Sequence, residues 1–248
     1  MFGKSMSRPI ALVTGGGRGI GAATSKRLAE DGYDILLTYN KSSKPAEMVV
    51  DDIRRTGADA LAVKVDCNDD AEVALLGIHP WMHREIDALV LNHGRYERVA
   101  AEDMTIAGLR TTMKTNFEGA VAVWKAVQPH LTDSARIVVV GSQLGTRGSP
   151  HGADYSASKA ALAMWARSLA QAVGPQGKRV NILAPGFVDT AILAGDSKQK
   201  REEREQLVPL KRVASPEDMA GTISFLIGPD SSYITGAIIH VNGGLYLP

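Results

Sequence analysis

"IALVTGGGRGIGAATSKRLAED", residues 10–31, joins two patterns across a run of glycines. Its first residues are apolar and β-branched, as in a buried strand, and from residue 19 the pattern is helical. Between them lies "TGGGRGIG", 14–21. A strand that passes through a glycine turn directly into a helix is the opening of a βαβ unit. Glycine lets the backbone turn tightly and approach a pyrophosphate, whose charge then meets the free amides and positive dipole of the helix. The usable spacing is Gly15, Gly19, Gly21 rather than a strict G-x-G-x-x-G. The turn alone therefore fits a ligand-free junction as well as a phosphate cradle made by Gly15, Arg18, Gly19, Ile20 and Gly21.

Outward from this stretch the alternation repeats. Further strand candidates are "DILLTY" (34–39), "ALAVKVD" (60–66), "DALVLN" (87–92), "RIVVVGS" (136–142), "RVNILAP" (179–185) and "AIIHVNGG" (237–244). They are nearly continuous apolar runs, as expected of parallel strands covered on both faces. Helical patterns lie between them, among others at 19–31, 44–56, 107–131 and 154–173. The order predicts an α/β fold: one domain over 1–248, a doubly wound (Rossmann) parallel seven-stranded sheet with helices on both faces. Ligands in such a fold bind beyond the carboxyl ends of the strands, so the chemistry is sought just after each strand.

Composition narrows the function classes. With 248 residues and 44% hydrophobic content the chain can bury a sizeable core. A net charge of +1 gives no global attraction to nucleic acid or acidic membranes, and neither is expected as a partner. The single cysteine, Cys67, rules out an intrachain disulfide and gives no support for an oxidising compartment. Six scattered histidines and no cysteine cluster argue against a metal site. No apolar run approaches the roughly 18 residues of a membrane span, and "MFGKSMSRPIALVTG" lacks a secretory pattern. A cytoplasmic protein is expected.

The second strand ends in "LTYNKSS". NAD-binding folds usually place a carboxylate there, on the ribose 2′-hydroxyl. Here the position holds Tyr39, followed by Asn40 and Lys41. Nothing there repels a 2′-phosphate, and Lys41 with Arg18 can neutralise one. NADP(H) is expected to be preferred, with NAD(H) possible; the bland alternative for Lys41 is a solvated loop charge.

Ser142 ends the fifth strand, Tyr155 follows thirteen residues later, and Lys159 four after that. Residues at i and i+4 share a helix face, so a phenol and an ammonium stand together on "ADYSASKAALAMWARSLAQ". A free tyrosine, with a pKa near 10, is a poor base at neutral pH. A cation one turn away favours the phenolate; lowering the pKa to about 7 takes roughly 4 kcal/mol. Tyr155 is then expected to exchange a proton with a substrate hydroxyl or carbonyl, and Ser142 to hydrogen-bond the same oxygen.

With these motifs in order, the chain resembles the classical short-chain dehydrogenase/reductase family from Thr14 to about Gly244. The shared residues are Thr14-Gly15-x-x-x-Gly19-x-Gly21, Asp66, "NHG" (92–94), Asn116 in "TNFEG", Ser142, Tyr155, Lys159, "PGFVDT" (185–190) and "ITGAIIHVNGG" (234–244). The resemblance implies a catalytic set of Asn116, Ser142, Tyr155 and Lys159, in which Lys159 also holds the nicotinamide ribose and Asn116 ties it to a water relay. It further implies that Asp66 meets the adenine amine beside the amide of Cys67. Asn92 and Gly94 would line the adenine ribose. Pro185, Gly186, Val188 and Thr190 would grip the nicotinamide end, with Val188 and Thr190 on the carboxamide. The family also implies a homotetramer through helices 107–131 and 154–173, and a substrate lid over 191–212.

Two departures bear on substrate. The fourth-strand motif usually reads Asn-Asn-Ala-Gly, whereas this chain has Leu91-Asn92-His93-Gly94, so His93 either packs against the loop or contacts substrate. Gln143, Leu144, His151 and Phe187 complete the candidate substrate lining, and Ile192, Leu193, Leu207 and Val208 could close over it. The expectation is an oxidoreductase interconverting a small secondary alcohol and ketone. A 3-oxoacyl-[acyl-carrier-protein] reductase is the alternative, which Gln171 disfavours because that branch tends to carry arginine there. A catalytically idle cofactor sensor or scaffold would have no need of Ser142, Tyr155 and Lys159 together. An isomerase or dehydratase on the same fold would show no net redox turnover.

Overall fold

The structure is a computed structural model that describes residues 8–248. Seven strands make one parallel sheet: β1 (Ile10–Val13), β2 (Asp34–Tyr39), β3 (Ala60–Lys64), β4 (Ile86–Leu91), β5 (Leu131–Val140), β6 (Arg179–Pro185) and β7 (Ile238–Val241). Their spatial order is β3-β2-β1-β4-β5-β6-β7, parallel throughout. The chain reverses direction across the sheet between β1 and β4, and a crevice opens at that switch. β5 begins five residues before the expected 136; its early part pairs Leu131 with Ile86 and a register shift separates the two stretches.

Each face of the sheet carries its own core. On one side α1 (Gly19–Glu30), α2 (Ser43–Arg55) and α9 (Pro216–Ile227) cover Ala11, Val13, Ile35, Leu37 and Val90. On the other, α3 (Asp70–Gly77), α5 (Gly119–Val127) and α7 (Ala153–Val173) cover Leu12, Leu36, Leu89 and Val139. Successive strand residues point to opposite faces, so Leu12 and Val13 enter different cores, both fully buried. This is why the strands read as unbroken apolar runs.

The expected helix 107–131 is not one α-helix. It divides into α4 (Ile106–Met113), a π-helical turn Lys114–Glu118, and α5. The extra residue widens the helix at Asn116, which is fully buried. Single π turns are an unusual backbone choice that recurs at functional sites. α6 (Leu144–Arg147) and α8 (Lys198–Leu207) are shorter elements around the crevice. The unusual "HPWMHR" becomes a 3₁₀ turn, Pro80–Arg84, whose Arg84 stacks on Trp81 and pairs with Asp34. It lies at the amino ends of the strands, away from the crevice. No helix among the described residues is long and apolar enough to cross a membrane.

Candidate active site

A cleft of about 1230 Å³ runs along the carboxyl rim of the sheet. At one end lies the glycine turn. Gly21 packs so tightly that a Cβ there would stand 2.2 Å from the Gly15 carbonyl oxygen. The Asn92 amide braces the turn by donating to the carbonyls of Thr14 (3.0 Å) and Gly15 (3.2 Å). Asn92 thus shapes the cradle with the group the resemblance assigned to ribose. No side chain caps the amides that open α1. Uncapped amides and the helix dipole suit an anionic phosphate.

The adenine end fits a dinucleotide equally well. Arg18 and Lys41 are exposed on the rim, with Ile20, Tyr39, Asn40, Asp66 and Cys67 also lining the cleft. Asp66 lies below the usual carboxylate range, first because the Asn68 amide donates to it, with Asn40 and Lys41 adding to the effect. Its acceptor capacity is suited to an amine. Cys67 is buried and its thiol is pushed up to about 12 by desolvation, so it offers no nucleophile. Across the cleft, Pro185, Gly186, Val188 and Thr190 form the opposite wall. A Cβ on Gly19 would lie 3.2 Å from the Thr190 methyl, which shows how closely the two walls approach. Among the described residues, no cluster of His, Cys, Asp or Glu could hold a metal ion.

Ser142, Tyr155 and Lys159 meet at the other end of the cleft. Ser142 Oγ accepts the Leu144 amide at 3.1 Å, and the Ser142 hydroxyl reaches the Tyr155 phenol. Lys159 is 3% exposed; its Nζ donates to the Val140 carbonyl at 2.8 Å and lies 5.7 Å from the Tyr155 ring centroid. A Cβ on Gly94 would stand 3.5 Å from Lys159 Nζ and 3.2 Å from Asn116 Oδ1, so the loop after β4 passes close over this pair. Asn116 is wholly engaged: Oδ1 accepts the Arg95 amide (2.7 Å), and Nδ2 donates to the Arg95 carbonyl (3.0 Å) and Ser158 Oγ (3.0 Å). Its side chain clamps the loop after β4, leaving only its backbone for a water relay.

The protonation states correct a sequence expectation. Tyr155 is pushed up to about 12 rather than down, because burial outweighs the pull of Ser142. Lys159 is itself lowered to about 8 by burial. Desolvation penalises the charged form of each group, and the cation does not overcome it for the phenol. In this state Tyr155 carries its proton at neutral pH.

The expected substrate residues divide. Leu144 and Phe187 line the cleft, with Arg204 stacked over Phe187 at 4.5 Å. Gln143 borders the cleft but is 2% exposed and accepts a hydrogen bond from Asn242 at 3.2 Å. His151 is exposed outside the cleft, and its hydrogen bonds are made by its backbone, the amide to Ser149 Oγ and the carbonyl from Tyr96. His93 turns inward as well; its Nδ1 is 2.8 Å from Thr14 Oγ1, and its Nε2 is buried without a hydrogen-bond partner. In the lid, Ile192 and Leu193 border the cleft, whereas Leu207 is exposed and Val208 is buried against Gly243. Tyr96, which sequence reasoning missed, lies edge-on to Tyr155 with ring centroids 5.0 Å apart.

His93 yields a pH prediction. Burial, then the nearby Lys159 charge, lowers its pKa to about 4 from 6.5. Between those values the unfolded chain binds a proton that the native state rejects. The stability conferred by the neutral ring is therefore complete above pH 6.5 and is lost as pH falls towards 4, on the order of 3 kcal/mol in all. His93→Ala removes this component, so its deficit against the wild type in urea midpoint should narrow between pH 7 and pH 5. An unchanged deficit would show that the ring is not held neutral.

Comparison with known proteins agrees with this geometry. The family model described as "Enoyl-(Acyl carrier protein) reductase" matches residues 15–246. The chain is 33% identical over 240 residues to a 3-oxoacyl-[acyl-carrier-protein] reductase FabG of Staphylococcus aureus, covering 96% of this chain and 98% of that protein. Among solved structures, a short-chain dehydrogenase from Burkholderia cenocepacia in complex with NADP superposes with a TM-score of 0.90 at 35% identity, over 96% of this chain and 97% of that one. A blue fluorescent protein from a metagenomic library in complex with NADPH superposes with a TM-score of 0.90 at 34% identity, over 96% and 98%. The chain therefore belongs to the classical short-chain dehydrogenase/reductase family, close to its 3-oxoacyl-[acyl-carrier-protein] reductase branch, and is an oxidoreductase acting on CH–OH groups with NAD(P).

Proposed function

We propose an NADP(H)-preferring enzyme that interconverts a small secondary alcohol and ketone, with Tyr155 as acid and base. The observation that carries this reading is the convergence of Ser142, Tyr155 and Lys159 at one end of a cleft whose other end is an uncapped glycine turn. The nicotinamide cofactor supplies or accepts hydride when bound. In reduction, the Ser142 hydroxyl donates a hydrogen bond to the carbonyl oxygen and Tyr155 gives that oxygen its proton. Lys159, held by the Val140 carbonyl, orients the ribose and carries positive charge beside the phenolate that forms. Ile192 and Leu193, within the 191–212 lid, close over the substrate. Asp196–Arg204 and Asp189–Arg201 pairs tie α8 to the loop before it.

NADP(H) selection rests on Arg18 and Lys41 at the rim, where β2 ends in Tyr39 instead of a carboxylate. NADPH and NADP complexes among the relatives support it. The test follows cofactor absorbance while a panel of ketones is reduced. NADPH should exceed NADH in kcat/KM by roughly tenfold or more, and Lys41→Glu should narrow or invert the ratio, as loss of a charge-assisted contact implies. A wild-type preference for NADH would overturn the cofactor assignment.

The S. aureus relative supports a second reading, reduction of a 3-oxoacyl group on acyl carrier protein. Including an acetoacetyl carrier and its free thioester in the same panel separates the two. The proposal also includes a cytoplasmic location and a homotetramer, the latter supported by the exposed face of α7 at Ala157, Met164 and Ser168, where a large apolar side chain stands 56% exposed between small ones. A monomer mass in sedimentation would refute the assembly.

A further inference from the structure

Tyr96 belongs to none of the motifs, yet three separate segments converge to hold it. The residue before it is clamped at both its amide and its carbonyl by the buried Asn116 side chain. Its hydroxyl donates to the His151 carbonyl at 2.8 Å. Its ring occupies the space a side chain at Gly152 would need: a Cβ there would stand 2.8 Å from Tyr96 Cε2. Thus the loop after β4, the turn before α7 and the first turn of α7 all meet at one aromatic ring. Because the hydroxyl is committed to a backbone carbonyl, what remains for the cleft is the ring itself.

That ring stands at 78° to Tyr155, an edge-to-face arrangement. A carbonyl oxygen placed for the Tyr155 proton must carry its substituents past Tyr96. Leu144, Phe187, Ile192 and Leu193 are among the other apolar groups that border the cleft. Phe187 is backed by the Arg204 guanidinium at 4.5 Å and so is also fixed in orientation. Rigid aromatic surfaces favour flat, apolar partners that stack or meet them edge-on, and give little to a compact aliphatic group.

We propose that Tyr96 is the specificity-determining residue of this site, its ring selecting carbonyl compounds that bear an aromatic or similarly flat apolar substituent. The inference rests on the reading above that the site reduces ketones. It is tested by comparing kcat/KM for an aryl methyl ketone and for butanone, with NADPH, in the wild type, Tyr96→Phe and Tyr96→Ala. The wild type should favour the aryl ketone. Tyr96→Ala should lose roughly tenfold or more on the aryl ketone and much less on butanone, the scale expected when an apolar contact is removed. Tyr96→Phe should keep the discrimination, since it keeps the ring. Gly152→Ala, which drives a Cβ into that ring from the far side, should reproduce the Tyr96→Ala selectivity.

NADPH titration and thermal melting of each variant accompany the kinetics. A variant that binds NADPH normally yet loses both substrates equally would overturn the assignment, as would a wild type that does not favour the aryl ketone. If Tyr96→Ala does not fold, equal discrimination by the wild type and Gly152→Ala would overturn it instead. A wild type that oxidises NADPH with no ketone would remove the underlying functional reading and this inference together. Ketone turnover with the aryl preference unchanged in Tyr96→Ala would remove this inference alone.

Discussion

Tyr155→Phe is expected to lower kcat for ketone reduction by about 1000-fold, within the range for loss of a general acid, while NADPH affinity changes little. The substitution removes one hydroxyl and leaves the ring. The edge contact with Tyr96 and the position of Lys159, 5.7 Å from the ring centroid, do not depend on that hydroxyl. Ser142 keeps its bond from the Leu144 amide, so the local structure has no cause to collapse. What disappears is the proton. With Tyr155 held at about 12, the native group carries its proton at neutral pH. Steady-state rates and a fluorescence titration of NADPH on the same preparation decide the matter. Residual turnover within tenfold of wild type would remove Tyr155 from the chemistry.

Gly21→Ala should abolish cofactor binding at the opposite end of the cleft, with an NADPH Kd raised about 100-fold or more. The added Cβ would stand 2.2 Å from the Gly15 carbonyl oxygen, 2.9 Å from its carbonyl carbon and 2.6 Å from the Asn92 amide nitrogen. Two of these atoms are backbone and cannot swing aside. The third holds the turn to the end of β1 through bonds to Thr14 and Gly15. The turn must therefore open, which spreads the amides that would meet the pyrophosphate. Overpacking of this kind also destabilises the fold by about 1–3 kcal/mol. Gly174→Ala is the control, because nothing lies within 4 Å of its Cβ position. Its melting temperature and NADPH affinity should match the wild type. An NADPH affinity of Gly21→Ala close to wild type would mean that the turn is not the phosphate cradle.

The two sites differ in how far they could be read from the chain alone. The glycine turn was legible because its parts are consecutive: strand, turn and helix follow within 10–31. Tyr155 and Lys159 were legible because helical geometry places i and i+4 together without reference to the rest of the fold. Ser142 followed from the rule that strand ends deliver side chains to the ligand edge. The orientation of Gln143 and His93 was not legible, because direction depends on distant partners. Asn242 draws Gln143 inward from 99 residues away, and Thr14 lies beside His93 across 79. The π turn at Lys114–Glu118 escaped notice for a similar reason: its helical pattern is unbroken, but Asn116 is held by Arg95 and Ser158.

Electrostatics was the least legible quantity. The i, i+4 spacing correctly put a cation beside the phenol, but it carried no information on water. Burial is set by how β5, α7 and the loop after β4 close around the pair. That closure raises Tyr155 against the expected direction and lowers Lys159.

By itself, then, the order of residues determined the alternating layers, the parallel sheet, the glycine turn between β1 and α1 and the placing of Tyr155 and Lys159 on one helix face. All of these rest on contacts within a few residues or on strands buried on both faces. Only the tertiary structure decided which polar side chains face the cleft, that burial pushes Tyr155 up rather than down, and that Tyr96 stands beside it. Those properties arise from desolvation and from partners far apart in the chain, which no local pattern encodes.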